Sequence, residues 1–411
     1  MLPRLRRIFS IVLVAIFGTL CLLPGLMLFQ YDGENTSITE NRLLAAWPGP
    51  PTGTATLPEW PVQFDSFVAD HFGFRSDLVR FYNLIHVKLG TSTVKKVLVG
   101  KNNWLFLEQT KLADSNRGAY PFKADRLAAL VTSFEKRQKY LERLGKYFIV
   151  FPTPDKNSLF PEFLPDTVKI IGPSRFVQFR DAALAADFLS VDTLPALKAA
   201  KKAGEDIYFQ TDSHWNCRGA WFAYLALMKT LRNAGYAGGK ILDESEVDFI
   251  RPENPRGSDI VRLLLNLEGY IHEPLGYVCR IKSQAEITAS RPSDGLEFEY
   301  VYAAPPRNEQ RRYKHAQPRD NSRVFIYRDS YANALLPFLI HTFDELIYTS
   351  PEIMMGFDPA DVELHNPDLV IYQFVERGLF YPPDDTLLET FESGVSDGSK
   401  STGSQDEKND K

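Results

Sequence analysis

The period of the apolar residues changes several times along this chain, and each change predicts a different element. Ile8 to about Phe29 is an uncharged apolar run preceded by Arg4, Arg6 and Arg7. A run of roughly twenty such residues can cross a bilayer. Arginines on its N-terminal side predict that this end stays cytoplasmic and the rest lies outside. A cleaved signal peptide usually has a shorter apolar region and a small-x-small site. No convincing site follows Leu28, and Gly18-Thr19-Leu20-Cys21 is a poor lipoprotein signal. The expectation is therefore a single-pass signal-anchor in a bacterial inner membrane, with the remaining chain in the periplasm.

Beyond the run, residues 31–60 are rich in Pro, Gly and Thr and read as a tether. From Pro61 to Leu89 apolar residues recur at helical spacing (Phe64, Phe67, Phe74, Leu78, Phe81, Leu84, Ile85), with a break at Gly73. Gly100 to Leu107 reads as a turn entering a strand. An alternation of helix and strand follows. Leu127, Leu130, Phe134, Leu141 and Leu144 mark an amphipathic helix; Tyr147–Phe151 is a short apolar strand stopped by Pro152 and Pro154. Phe176–Ala186 is helical, and Phe188–Val191 is a strand. Trp221, Tyr224, Leu225, Met228 and Leu231 share a helix face. Val324–Tyr327 is a strand, Tyr331–His341 a helix, and Leu346–Tyr348 and Leu369–Phe374 two more strands. Buried strands alternating with helices predict an α/β domain on a parallel sheet. Residues 235–320 break this rhythm with Gly, Pro and charge, and read as an insertion with antiparallel strand, a lid or ligand rim. The predicted organisation is an anchor over 1–30, a tether and helical lead-in over 31–95, a catalytic domain over 96–390 containing the insertion, and a disordered tail over 391–411.

Composition narrows the classes. A formal charge of −5 gives no whole-chain case for nucleic-acid binding. The seven histidines are scattered, with no HExxH and no Cys/His cluster at zinc spacing, so no catalytic metal and no cofactor are expected. Cys217 and Cys279 stand outside the membrane run, where an oxidising compartment permits a bridge; spacing leaves a disulfide and two buried thiols both open.

The chemistry-bearing segments are Gln210-Thr211-Asp212-Ser213-His214-Trp215 and, far downstream, Val324-Phe325-Ile326-Tyr327-Arg328-Asp329-Ser330-Tyr331. In an extended segment Asp212 and His214 point the same way. The carboxylate then fixes the imidazole tautomer, and the imidazole takes a proton from a serine hydroxyl. Ser330 falls at a strand-to-helix junction, on the sheet edge where open α/β folds place ligands. The backbone N–H groups that follow it are expected to stabilise an oxyanion. The plain alternative is that Asp-x-His and Asp329-Ser330 are only helix caps.

Thr211-Asp212-Ser213-His214-Trp215 with Arg218-Gly219-Ala220 resembles the Asp-x-His-Trp motif of the alginate O-acetyltransferase family, whose members carry an SGNH-hydrolase-like domain. Arg328-Asp329-Ser330-Tyr331 resembles its nucleophile block, and Pro367-Asp368 to Glu376-Arg377 its closing strand block. Asp70-His71-Phe72-Gly73-Phe74-Arg75, Trp104-Leu105-Phe106 and Pro154-Asp155-Lys156 also look familial. The likeness covers roughly residues 60 to 385 in order. It implies an SGNH-like fold with a permuted order, Asp and His preceding Ser. It also implies Ser330 as nucleophile, His214 as base and Asp212 as orienting acid. Arg328 departs from the Gly that many SGNH blocks carry before Asp-Ser.

The resemblance further implies O-acetyl transfer through an acetyl-serine to a hydroxyl of an exported polysaccharide, with a multispanning membrane O-acyltransferase supplying acetyl. A periplasmic carbohydrate O-acetylesterase and a non-catalytic glycan-binding subunit of an export complex are the rivals. Candidate substrate contacts are Trp215, Arg218, Tyr331, Arg328 and Lys156, each with a plainer reading. Trp215 braces His214 or stacks on a sugar. Arg218 binds a polymer carboxylate or is a surface cation. Lys156 reaches the site or is a surface lysine. Arg328 crowds the turn or serves an anionic sugar. Glu376 and Arg377 pair structurally at the strand end or touch ligand, with pairing expected; His71 and Arg75 are expected to serve packing and salt bridges. The basic cluster Arg307, Arg311, Arg312 and Lys314 reads as a solvated charge run or an acidic-glycan attractor.

Overall fold

The computed structural model describes residues 2–28, 36–37, 42–51, 53, 57–109, 111–253, 259–283, 285–299, 305–306, 309–353 and 355–394. Part of the expected tether, Arg307 and the tail beyond residue 394 lie outside them. The helices that matter for the site are α1 (Leu2–Met27), α2 (Trp60–His71), α3 (Arg75–Lys88), α4 (Ala124–Arg143), α5 (Arg175–Leu184), α6 (Cys217–Asn233) and α7 (Leu336–Thr342).

The frame is a seven-stranded sheet. Its strands in chain order are β1 (Tyr147–Thr153), β2 (Ile287–Ser290), β3 (Glu297–Phe298), β4 (Arg311–His315), β5 (Arg323–Tyr327), β6 (Glu345–Thr349) and β7 (Leu369–Val375). Across the sheet they lie in the order β1-β7-β5-β6-β4-β2-β3. β1, β7, β5 and β6 run parallel; β4, β2 and β3 continue the sheet antiparallel. The sheet is therefore mixed, because the polar stretch before β5 supplies an antiparallel edge to a parallel core. Arg311, Arg312 and Lys314 fall on β4. Arg311 pairs with Glu309 and Arg312 with Glu345, so these two cations are engaged.

Period-two alternation gives the parallel strands two apolar faces. Ile149, Ile326, Leu346 and Ile371 meet α6 and α7 in one core; Phe148, Phe325, Ile347 and Val370 meet α4 and α5 in the other. Both faces are covered, which is why these strands read as continuous apolar runs. β1 runs on through Pro152 to Thr153. The strand expected at Phe188–Val191 is reduced to a single bridge from Ser190 to Val150. The helix expected from Tyr331 is a 3-10 turn, Ser330–Ala334, followed by α7, whose Pro337 occupies the first helical turn. Proline there suits a helix start and cannot donate to a preceding turn.

α2 and α3 are separated at Phe72–Phe74, as the glycine predicted, with Phe74 at φ 60°. A third cluster joins α3 and the hairpin Val97–Val99/Leu105–Leu107 to Ile260, Val261, Leu265 and Leu267. The segment from Asp259 to Leu264 is thus clamped between the lead-in helices and the site. Cys217, at the start of α6, is disulfide-bonded to Cys279 on the hairpin strand Val278–Ile281, with Cα atoms 5.9 Å apart.

α1 exposes Ile8, Phe9, Ile11, Val14 and Phe17. Among the described residues no helix is long and apolar enough to cross a membrane. The side chains of α1 are described without interruption only from Arg6 to Thr19, short of the roughly twenty residues a span needs.

Candidate active site

β5 ends at Tyr327, and Asp329 turns the chain out of the sheet. The Asp329 carboxylate accepts from the N–H of Tyr331 (2.9 Å), from Gln373 Nε2 (3.1 Å) and from the N–H of Val375 (2.6 Å), while its own N–H donates to Gln373 Oε1 (3.0 Å). These bonds lock the turn to the end of β7. Ser330 therefore begins the 3-10 turn in a fixed place, with its side chain exposed at the C-terminal edge of the parallel strands.

The second half of the site comes from the loop before α6. In neutral His214, Nε2 accepts from Ser330 Oγ at 2.8 Å and Nδ1–H donates to Asp212 Oδ1 at 2.7 Å. Asp212 Oδ1 also accepts the His214 N–H (2.7 Å), so one carboxylate holds both ring and backbone. The order of contacts is serine, imidazole, carboxylate, which is the arrangement that lets a hydroxyl act as nucleophile. Burial works against charge on Asp212, but the bond and charge of His214 outweigh it and hold the carboxyl well below its usual range. Burial likewise opposes charge on His214. The hydrogen bond and charge of Asp212, then the charge of Asp259, overcome that and raise its pKa.

Sequence reasoning missed two carboxylates that hold this loop. Asp259 donates its N–H to Asp212 Oδ2 (3.0 Å), accepts the Ser213 N–H (2.8 Å) and accepts the Ser213 hydroxyl. Its Oδ2 lies 3.5 Å from His214 Nδ1. Burial and then repulsion from Asp212 raise the Asp259 pKa. Glu273, 1% exposed, accepts the N–H groups of Gln210 (2.8 Å), Thr211 (2.7 Å) and Leu275 (2.9 Å), and the Thr211 hydroxyl (2.7 Å). Both residues sit in the aperiodic stretch after α6, where no pattern marks them.

The expected substrate contacts mostly take other places. Lys156 is buried, and its Nζ donates to the carbonyls of Phe209 (3.2 Å), Gln210 (3.1 Å) and Asp212 (2.5 Å). It grips the Asp212 loop from beneath and does not line the cleft. Trp215, 1% exposed, donates to the Tyr331 carbonyl (2.9 Å) and packs on its ring, so it braces the site and offers no face to a sugar. Tyr331 is fully buried, donating to the carbonyl of Ser213 (2.7 Å). Arg218 is engaged by Glu205 and Glu244 at the start of α6. Alternation explains the aromatic pair: His214 faces the cleft, so its neighbour Trp215 faces the core.

Arg328 does line the cleft, beside Gln109, Ser330, Ser350 and Arg377, in a space of about 280 Å³. Its guanidinium lies over the Tyr348 ring and donates to the Pro305 carbonyl (2.8 Å), so the bulky cation does not crowd the turn. Glu376 and Arg377 do not pair with each other. Arg377 binds the buried Asp155 carboxylate. Glu376 accepts from Asn116 (2.8 Å), Ser158 (2.9 Å) and the Asp155 N–H (3.1 Å). Burial and the charge of Asp155 push the Glu376 carboxyl up to about 7.

The oxyanion expectation is corrected in part. The Tyr331 N–H is held by Asp329 Oδ1 and the Ala332 N–H by the Asp329 carbonyl. The Ser330 N–H, first in its turn, bonds no acceptor among the described residues. Donor atoms of Asp212, His214 and Asp259 lie within 4.8 Å of one another, a spacing that a metal ion fits. Those same atoms are already joined by the hydrogen bonds above.

Residues 97–258 match the family model described as the SGNH hydrolase-like domain of acetyltransferase AlgX. The chain is 25% identical over 218 residues to a probable alginate O-acetylase AlgJ of Pseudomonas syringae pv. tomato, covering 53% of this chain and 51% of the relative. It is 26% identical over 178 residues to the protein of that name from Pseudomonas fluorescens, covering 42% of each. The matches thus span about half the length of these relatives or less. The solved structure of Bacillus cereus PatB1 shares the fold, with a TM-score of 0.52 and 16% identity over 70% of this chain and 97% of that one. Residues 97–258 are thus similar to the SGNH hydrolase-like domain of the alginate O-acetyltransferase family that the ordered motifs resemble, and the two curated relatives support that likeness.

Proposed function

We propose that this protein is a polysaccharide O-acetyltransferase that carries acetyl on Ser330. The observation that supports it is the continuous contact from Ser330 Oγ through His214 to Asp212 at the open edge of the sheet. Ser330 Oγ attacks the acetyl carbonyl while His214 Nε2 takes the hydroxyl proton. Collapse expels the donor's leaving group, which leaves with that proton. A sugar hydroxyl then attacks the acetyl-serine and gives its proton to Nε2, and collapse returns Ser330 with its proton restored. Asp212 holds the imidazole tautomer and stabilises its protonated form in both halves. The Ser330 N–H, which bonds no acceptor among the described residues, serves as the oxyanion donor. No step requires a cofactor.

The acceptor is a hydroxyl of an exported polysaccharide, and the donor side is a multispanning membrane O-acyltransferase. Residues 1–30 serve as the anchor and 31–95 as lead-in; 96–390 form the catalytic unit on the periplasmic side of a bacterial inner membrane. Anchoring raises the effective concentration of the serine near a membrane-bound donor. A carbohydrate O-acetylesterase is favoured by one observation, the exposure of Ser330, which lets water reach the acyl group. The test of the shared intermediate is mass analysis of the peptide containing Ser330 after brief exposure to an activated acetyl ester. An acetyl on Ser330 in the wild type, absent in His214→Ala, is expected. An unmodified serine under turnover excludes the mechanism.

A further inference from the structure

α3 is built inside out. Phe74, Leu78, Phe81, Tyr82, Ile85 and Leu89 fall on one side of the helix and its ends at a spacing of three and four, yet all six are between 40% and 72% exposed. The opposite side is the packed one. Asn83 donates to the Leu265 carbonyl (2.8 Å), Arg80 to the Asn266 carbonyl (3.2 Å), and Leu84 and Val87 join the cluster around Ile260 and Leu265. An apolar stripe turned to solvent on a helix otherwise fixed to the fold marks a surface made for an apolar neighbour.

We infer that this face of α3 rests on the lipid bilayer. The proposal relies on the reading of α1 as the membrane anchor, and three observations favour lipid as the occupant. The stripe follows α1 in the chain, and α1 itself exposes Ile8, Ile11, Val14 and Phe17. It lies along one helix, the shape of an element that beds into an interface. Lys88, Lys95 and Lys96 flank its C-terminal end, all exposed and without an ion pair among the described residues, which suits anionic headgroups. Asp77, the acidic residue of the helix, is paired to Arg80 at 2.8 Å. The consequence reaches the site. α3 is bound to the segment that carries Asp259, and Asp259 holds Asp212. Bilayer contact therefore sets the height and orientation of Ser330 over the membrane, where an acetyl donor in the membrane must meet it.

The test uses the full chain in vesicles of phosphatidylethanolamine and phosphatidylglycerol. In a Cys21→Ser background, Phe81→Cys, Ile85→Cys and, as control, the exposed Lys139→Cys on α4 each carry a polarity-sensitive fluorophore. Positions 81 and 85 are expected to be quenched several-fold more by spin-labelled lipid than position 139, and less by aqueous iodide. Lys95→Glu with Lys96→Glu should reduce that lipid quenching. Equal lipid quenching at all three positions overturns the proposal. So does protection of 81 and 85 from lipid and iodide alike, which would mean that a protein or a second copy covers the face. Alkaline washing separates this from the anchor. Release of a protein whose position 81 was lipid-quenched contradicts the anchor alone, and retention without quenching contradicts the α3 contact alone.

Discussion

Asp259 meets His214 from outside the motif that carries it: its Oδ2 lies 3.5 Å from Nδ1, while its N–H holds the other oxygen of Asp212 at 3.0 Å. The Asp212–His214 loop is thereby closed by a carboxylate from a separate segment, and the two carboxylates face one imidazole.

Replacement of that carboxylate gives the first prediction. Asp259→Asn keeps an acceptor for Ser213 but removes the charge that helps to raise the His214 pKa. Turnover of an acetyl ester should fall roughly tenfold, the equivalent of one lost hydrogen bond. The acid limb of kcat/KM should move to lower pH. An unchanged limb in a folded variant removes Asp259 from the account.

The pH profile of the wild type is a second prediction. The proposed mechanism needs neutral His214, and its raised pKa places the acid limb above the ordinary histidine value of about 6.5. Activity therefore rises with pH through that value. Burial pushes the Lys156 ammonium down to about 8, although Asp212, Glu273 and Asp259 favour its charge. Once neutral it has fewer protons for the carbonyls of Phe209, Gln210 and Asp212, so activity should fall again above about 8. Lys156→Met should abolish the alkaline limb and cost about 1.5–3 kcal/mol of stability, measured by denaturant titration. A Lys156→Met profile with its alkaline limb intact contradicts this assignment.

The Cys217–Cys279 bond closes a chain separation of 62 residues and fastens the hairpin strand to the helix that follows His214. Cys279→Ser should lower stability by about 2–4 kcal/mol. The triad does not touch the bridge, so ester turnover at low temperature should stay near the wild-type value. Equal stability of the two proteins would show that the bridge does not constrain the fold.

Much of this was legible because local rules agreed. Val324–Tyr327 and Leu369–Phe374 were continuous apolar runs, as strands covered on two faces must be, and a serine closing one of them fell at the sheet edge. The spacing of Asp212 and His214 let both side chains point the same way but left a helix cap open; the family resemblance singled them out, and in the structure they are 2.7 Å apart. The clamps were not legible. Asp259 and Glu273 act through backbone amides of a loop far away in sequence, and such contacts leave no period. Of the two readings of Trp215 the structure shows the brace, whereas adjacency to a motif misled at Tyr331 and Lys156, whose side chains turn into the core that supports the motif. Arg218 was read as a candidate for ligand but is committed to Glu205 and Glu244; Arg218→Ala should leave the KM for an acetyl ester unchanged while lowering Tm.

Transfer itself is decided by which nucleophile reaches the acetyl-serine. The most direct measurement supplies the full chain with an acetyl donor and an oligosaccharide acceptor, then weighs the sugar. Acetylated sugar from the wild type, with only background from Ser330→Ala and His214→Ala, is the predicted result. Free acetate alone from acidic and neutral acceptors alike would contradict transfer and leave an esterase; acetylated sugar formed equally by Ser330→Ala would contradict the acetyl-serine.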